Sequence, residues 1–326
     1  MKSIAFVIPY FGHFPNYFDK WLKSCSYNST IDWIIFTDCH EEYDYPINVH
    51  VNYCTFEDIK VRFQSKFDFK ISLNKPYKLC DYKCAYGYIF EKELEKYDFW
   101  GYCDVDLIWG DIRKFVTDDL LENYCRVGVL GHCSILLNDD KINRLFKRDY
   151  SREDCTIPNY KWVYTSKMSF CFDEGHAFNK FFPLSGITIT PIDRVFDVNI
   201  KFKGFIPAKH IPGITYDNTC SFKWINGKLY AQYYINKKIV EIEIAYAHFQ
   251  KRALHNCDIN TDCFWIVPDH FQTEPLAPTD LIRNDYKKTR NEYWKIIYRQ
   301  LKGELMGYHR YYHYKYPWLY KFNFLR

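Results

Sequence analysis

Two continuous apolar runs, separated by an amphipathic stretch, constrain this chain most. Residues 3–10 read SIAFVIPY and residues 33–38 read WIIFTD. Neither run alternates polar with apolar, so each predicts a strand covered on both faces. Between them, NYFDKWLKSCSY at residues 16–27 places Phe18, Leu22 and Cys25 at helical intervals. Strand, helix, strand is the opening of a doubly wound α/β domain with a mostly parallel sheet. With 326 residues, 48% of them hydrophobic, the chain has ample material for such a core.

Further along, Asn74 is placed to cap a helix with Pro76 in its first turn; Leu79, Cys80, Tyr86, Ile89 and Phe90 carry that helix to about Lys96. Residues 98–103 predict a strand, and GVLGHCSILLN at 128–138 another. Asn226-Gly227 is a strong two-residue hairpin signal. After it, KKIVEIEIAYAHF alternates, which predicts one strand with Val240, Ile242, Ile244, Tyr246 and His248 on one face. No internal repeat or low-complexity linker interrupts the chain. The expected division is a domain at 1–255, containing the sheet and a small antiparallel sheet, and a helical extension at 256–326.

Several classes are excluded. The 13 cysteines contain no C-x-x-C pair and no regular spacing, which fits neither a zinc cluster nor a disulfide framework. They read as reduced thiols of a cytoplasmic protein. The apolar run from Ile4 to Ile8 ends at Pro9, too short for a signal peptide, and no stretch approaches the roughly 20 apolar residues of a membrane span. Aromatic residues, 20% of the total, suit a pocket that stacks on flat rings or sugars, but compositional bias gives the same numbers more simply. The net charge of +4 is unevenly spread: residues 281–326 carry +8 and the rest −4. Within that tail, Tyr293, Ile297, Leu301 and Leu305 step by four, and YHRYYHYKYPWLYKFNFLR follows. Such a segment either packs on the main domain or lies on an anionic membrane surface as a peripheral anchor. Nucleic acid is not expected as a partner, because the main region is acidic and carries no recognised module.

In an open α/β sheet, ligands bind beyond the carboxyl ends of the strands. The polar residues to inspect are therefore Pro9–Gly12, Thr37 and Asp38, Asp104–Asp106, and Gly131–Ser134. Asp104 and Asp106, in YDFWGYCDVDLIWGD, follow a run that reads as a buried strand. Two carboxylates there repel each other and are costly to desolvate; a divalent cation relieves both costs. Mg²⁺ or Mn²⁺ binds one or two carboxylates and completes its shell with water and phosphate oxygens, which makes a nucleoside diphosphate the natural partner. The competing reading is a pair of turn carboxylates capping the next element.

The segments IAFVIPYFG, KPYKLCDYKCAYGYIF, YDFWGYCDVDLIWGD, FDEGH and HFQKR, over roughly residues 1–255, resemble bacterial polysaccharide-cluster proteins of the GT-A class of nucleotide-sugar glycosyltransferases. The resemblance implies a GT-A-like, Rossmann-like fold and a metal on the donor diphosphate held by Asp104 and Asp106, or contact between Asp104 and the donor ribose or sugar. It implies His248 as the histidine completing the metal shell, although a histidine on the apolar face of a strand is also a common core residue. Lys251 and Arg252 would reach the diphosphate, Lys78 and Asp81 would face the donor, and Pro9, Tyr10, Phe11 and Asp38 would cradle base and ribose. An inverting transfer also needs a base for the acceptor hydroxyl. FDEGH offers Asp173, Glu174 and His176, with Asp173 and Glu174 the catalytic candidates and Asp173 preferred. A retaining transfer would need no such base.

The function expected is therefore transfer of a sugar from a nucleoside-diphosphate sugar, UDP-linked by expectation, to a glycan or lipid-linked acceptor in surface polysaccharide synthesis. The alternatives are a sugar-nucleotide nucleotidyltransferase, disfavoured because IPYFGHFPN has one Gly and no Lys or Arg, and a non-catalytic glycan- or membrane-binding protein.

Overall fold

The computed structural model describes residues 1–175, 177–200, 202–208, 220–250, 252–277 and residue 298. Strand β1 (Ile4–Pro9), helix α1 (Phe18–Ser26) and strand β2 (Ile31–Thr37) form the expected opening, the strands pairing in parallel from Ile4–Ile31 to Pro9–Phe36. The apolar runs are continuous because the sheet is covered on both sides. Ile4, Phe6 and Ile8 enter one core with Trp21, Trp33 and Ile35, while Ala5 and Val7 enter another with Ile34, Phe36 and Phe63. Strand β3 (Val49–Tyr53) extends this sheet beyond β2, and β4 (Phe99–Cys103) joins β1 on its other side, both in parallel.

After β4 the chain leaves the sheet through a short strand, β5 (Leu107–Trp109). It returns as a hairpin of β6 (Arg126–Leu130) and β7 (Cys133–Leu137), with β7 antiparallel to β4 and Cys133 opposite Cys103. The single strand expected at 128–138 is thus two, turning at Gly131 and His132. A polar pair inside an apolar run is the turn. Strand β8 (Ile189–Thr190) completes a seven-stranded sheet, ordered β3-β2-β1-β4-β7-β6-β8 and mostly parallel.

The helix expected at 74–96 is three pieces: a 3₁₀ helix at Pro76–Ala85, then single α turns at Tyr86–Ile89 and Glu91–Leu94. At Gly87 the chain is pressed onto the sheet so closely that a Cβ would come within 2.4 Å of Trp100 Nε1 and Asn143 Oδ1. Phe90, with φ −105° and ψ 28°, separates the two α turns.

Beyond β9 (Val195–Asp197), strands β10 (Ser221–Ile225) and β11 (Lys228–Ile235) form the expected hairpin. Asn226 and Gly227 have φ of 47° and 80°, the left-handed pair a two-residue turn requires. The alternating run that follows is not one strand. It divides at Ala245 into β12 (Lys238–Ile244), paired with β11, and β13 (Tyr246–His248), which lies between β5 and β9 in a three-stranded sheet. Val240 is consequently exposed at an edge, whereas Tyr246 and His248 are buried. Strands β14 (Cys263–Ile266) and β15 (Phe271–Gln272) complete a five-stranded antiparallel sheet through β10. The sheet therefore continues past residue 255, where a helical extension was expected to begin. The basic, aromatic segment 281–326 lies outside the described residues apart from residue 298. Among the described residues no helix is long and apolar enough to cross a membrane.

Candidate functional site

A cleft of about 1280 Å³ opens at the carboxyl ends of β1 and β4. Pro9, Tyr10 and Phe11 from the end of β1 line it, with Asp104 and Asp106 from the end of β4, His132 from the β6–β7 turn, and Asp173, Asp197 and His248. The register of the three-stranded sheet explains the convergence. His248 pairs with Leu107 of β5, the residue after Asp106, and with Asp197 of β9 on its other side. The amide of Phe249 donates to the carbonyl of Asp106 at 2.9 Å, and that of Asp104 to the carbonyl of His132 at 2.9 Å.

His248 lies between the Asp104–Asp106 pair and a third carboxylate, Asp197. Its Nε2 is 3.3 Å from Asp106 Oδ1 and 4.0 Å from Asp104 Oδ2, while its Nδ1 is 2.8 Å from Asp197 Oδ1. Burial alone would depress the imidazole, but the hydrogen bonds to Asp106 and Asp197, with the charges of Asp106 and Asp104, raise it to about 9. Burial acts upward on Asp197, yet the bond from His248, the nearby His132 and the donor amide of Gln250, 2.8 Å away, bring it below the usual carboxylate range. Asp104, Asp106 and His248 offer ligand atoms all within 4.8 Å of one another, as do His132, Asp197 and His248.

On the opposite side of the Asp104 carboxylate stands Lys83. Its ammonium donates to Asp104 Oδ1 at 2.8 Å and to the Gly131 carbonyl at 2.7 Å, and lies 3.2 Å from Asp173 Oδ2. Burial disfavours that charge, but Asp104 and Asp173 outweigh it and hold the amine well above its ordinary value. Asp173 is almost fully buried. Burial, with the charges of Asp104 and Glu174, overcomes the pull of Lys83 and raises its carboxyl to about 7. Glu174 also lines the cleft but is exposed.

Other expected residues are used differently. Lys78 and Asp81 do not face the cleft: both are fully buried and paired to each other at 2.7 Å. The cause is the 3₁₀ repeat of three, which places Lys78, Asp81 and Cys84 on a sealed row and Tyr77, Cys80, Lys83 and Tyr86 on the row lining the cleft. Asp38 is exposed and not among the residues lining the cleft; its Oδ1 accepts from the Gly12 amide at 2.8 Å and fixes the loop after β1. Arg252 reaches the cleft, but its guanidinium donates to the carbonyls of Phe202 at 2.8 Å, Pro268 at 3.2 Å and Lys203, and covers the Phe205 ring. These bonds fasten loops and use three of its five N–H donors. Tyr10 stacks on Phe14 with centroids 5.0 Å apart and donates to the His13 carbonyl. Lys251 and His176 lie outside the described residues.

Lys83, His132 and Asp197 join the site without having been assigned a role from sequence. Lys83 shares the helix start of Lys78 and Asp81, to which the donor role was given, and only the three-residue repeat sets it on the row facing the cleft. His132 lay in the inspected segment Gly131–Ser134, concealed by the single-strand reading, and Asp197 ends a three-residue strand with no local signal.

No curated protein matches this chain. Over residues 6–275 it matches one family model, and the chain belongs to that family, DUF6625, a family of unknown function.

Proposed function

We propose that this protein is a GT-A-like, metal-dependent glycosyltransferase that moves a sugar from a nucleoside-diphosphate sugar, with UDP the expected nucleotide, to a glycan or lipid-linked acceptor. Surface polysaccharide synthesis on the cytoplasmic side of the membrane is the setting proposed. One observation carries the reading: Asp104, Asp106 and His248 converge, with ligand atoms within 4.8 Å, in a cleft at the strand ends large enough for a nucleotide sugar and an acceptor.

The donor set fits the implied metal. Two carboxylates and an imidazole suit Mn²⁺ or Mg²⁺, whose remaining positions go to water and phosphate oxygens. Asp104, Asp106 and His248 would hold the cation, which when bound supplies Lewis-acid neutralisation of charge on the departing diphosphate. Lys83 clamps the Asp104 carboxylate against the Gly131 carbonyl and keeps Asp173 beside it. Tyr10 and Phe14 offer an aromatic wall for a nucleobase.

Asp173 is the base in an inverting transfer. A carboxyl raised to about 7 is substantially ionised near neutral pH and basic enough to accept a proton. As the acceptor oxygen bonds to the anomeric carbon, the bond from that carbon to the diphosphate oxygen breaks, its electron pair leaves on the diphosphate, and the hydroxyl proton passes to Asp173.

A thermal-shift screen of nucleoside diphosphates and nucleotide sugars, with and without Mn²⁺, tests the reading on wild type and Asp106→Ala. A ligand bound to the folded state raises the melting temperature by mass action. UDP with Mn²⁺ should stabilise the wild type, and the substitution should remove the effect. If no nucleotide shifts either protein, the reading fails and a non-catalytic binding protein replaces it.

A further inference from the structure

His248 belongs to two groups of metal-ligating side chains, and only one of them contains the D-x-D. The other is His132, Asp197 and His248, whose ligand atoms also lie within 4.8 Å of one another. Three separate pieces of chain contribute: the β6–β7 turn, the end of β9 and the end of β13. The imidazoles of His132 and His248 are stacked, centroids 3.9 Å apart and planes 26° apart, and both are more than nine-tenths buried. Two of the three members also have a hydrogen-bonding neighbour outside the set. Tyr246 Oη lies 3.2 Å from His132 Nε2, and Gln250 Nε2 donates to Asp197 Oδ1 at 2.8 Å. Partners of this kind set ring orientation and tautomer in metal centres.

We propose that His132, Asp197 and His248 form a second cation site, selective for a transition-metal ion of the Zn²⁺ class, which competes with the D-x-D site for His248. Two imidazoles and one carboxylate make a nitrogen-rich set suited to Zn²⁺ or Co²⁺, whereas the D-x-D set is dominated by oxygen and suits Mg²⁺ or Mn²⁺. A neutral imidazole has one nitrogen lone pair, so His248 serves one ion at a time. Occupation of the nitrogen-rich set therefore takes a ligand from the other, and Zn²⁺ antagonises Mn²⁺ binding. The inference stands without the nucleotide-sugar reading, and its test uses metal alone.

The experiment is titration of the full-length, chelator-treated chain with CoCl₂, followed by visible d–d absorption, with ZnCl₂ as competitor; Mn²⁺ binding is followed separately by the electron paramagnetic resonance of free Mn²⁺. Wild type should develop a Co²⁺ band that Zn²⁺ abolishes, and Zn²⁺ should weaken Mn²⁺ binding roughly tenfold or more. His132→Gln should weaken Co²⁺ binding by a similar factor and leave Mn²⁺ binding within about twofold. The double variant Asp104→Asn, Asp106→Asn should lose Mn²⁺ and keep the Co²⁺ band. Absence of Co²⁺ binding, an unchanged Co²⁺ affinity in folded His132→Gln, or loss of the band in the double variant would overturn the second site. Independent binding of Zn²⁺ and Mn²⁺ to wild type would overturn the sharing of His248, and that arm requires no variant to fold.

Discussion

Two lysine–aspartate pairings begin on the same ten-residue 3₁₀ helix and have opposite surroundings. Lys78 and Asp81 are sealed. The ammonium donates to the Val163 carbonyl at 2.9 Å and the Met168 carbonyl at 2.5 Å, and the carboxylate accepts from the amides of Phe170 at 2.9 Å and Phe172 at 3.0 Å. Five positions later than Lys78, Lys83 spans Asp104 and Asp173 at the wall of the cleft. The first pairing anchors the segment that delivers Asp173; the second holds Asp173 and Asp104 at the site. Enclosure away from the cleft thus marks the scaffold pair here, whereas Lys83, Asp104 and Asp173 all line the cleft.

The largest expected effect breaks the sealed pair. Asp81→Ala removes the countercharge of the sealed Lys78 ammonium and the carboxylate that accepts from two backbone amides, which should cost about 3–5 kcal/mol in chemical denaturation. A cost under about 1 kcal/mol would refute the scaffold role. Lys83→Met should cost less than half as much, because Asp104 remains open to water. Its signature is a reversal of ligand preference: Mn²⁺ alone should bind more tightly, having lost a neighbouring positive charge, while UDP should bind more weakly. Parallel losses for both ligands would show general disorder of the site instead.

Smaller per pH unit is the effect of titrating Asp173. Asp173 is raised from about 3.9 in the unfolded chain to about 7 in the folded one. The folded protein therefore holds a proton across that interval that the unfolded chain has released. The stability this contributes is complete below the unfolded pKa and is lost as pH rises through the folded one. Measured by urea denaturation, wild type minus Asp173→Asn should fall by on the order of 1 kcal/mol per pH unit inside the window. A flat difference would place the carboxyl in an ordinary, ionised state.

How far the sequence carries depends on the distance over which each feature is encoded. The β1-α1-β2 opening is local and follows from apolar runs and helical spacing, as does the Asn226-Gly227 turn. Asp104 and Asp106 were legible because charge follows a buried strand. The position of Lys78 and Asp81 at a helix start does not tell which side of the helix faces the cleft; the 3₁₀ winding in threes turns them away from it. Asp197 and His132 reach the site through strand pairings between residues far apart in the chain, which no local pattern encodes. Even the run ending at His248 hid its break, since alternation continues through Ala245 while the strand changes sheets.

Calorimetric titration of UDP into wild type and Asp106→Asn, each at saturating Mn²⁺ and in chelator, is the most direct measurement of a metal–nucleotide centre at the D-x-D. A cation in contact with the diphosphate favours UDP binding, and linkage makes the effect of each ligand on the other equal. In wild type, Mn²⁺ should tighten UDP binding by roughly tenfold or more, and in Asp106→Asn that gain should disappear while the protein stays folded. Equal UDP affinity with and without Mn²⁺ in wild type, or an undiminished gain in the variant, would contradict the placement of the centre at Asp104, Asp106 and His248.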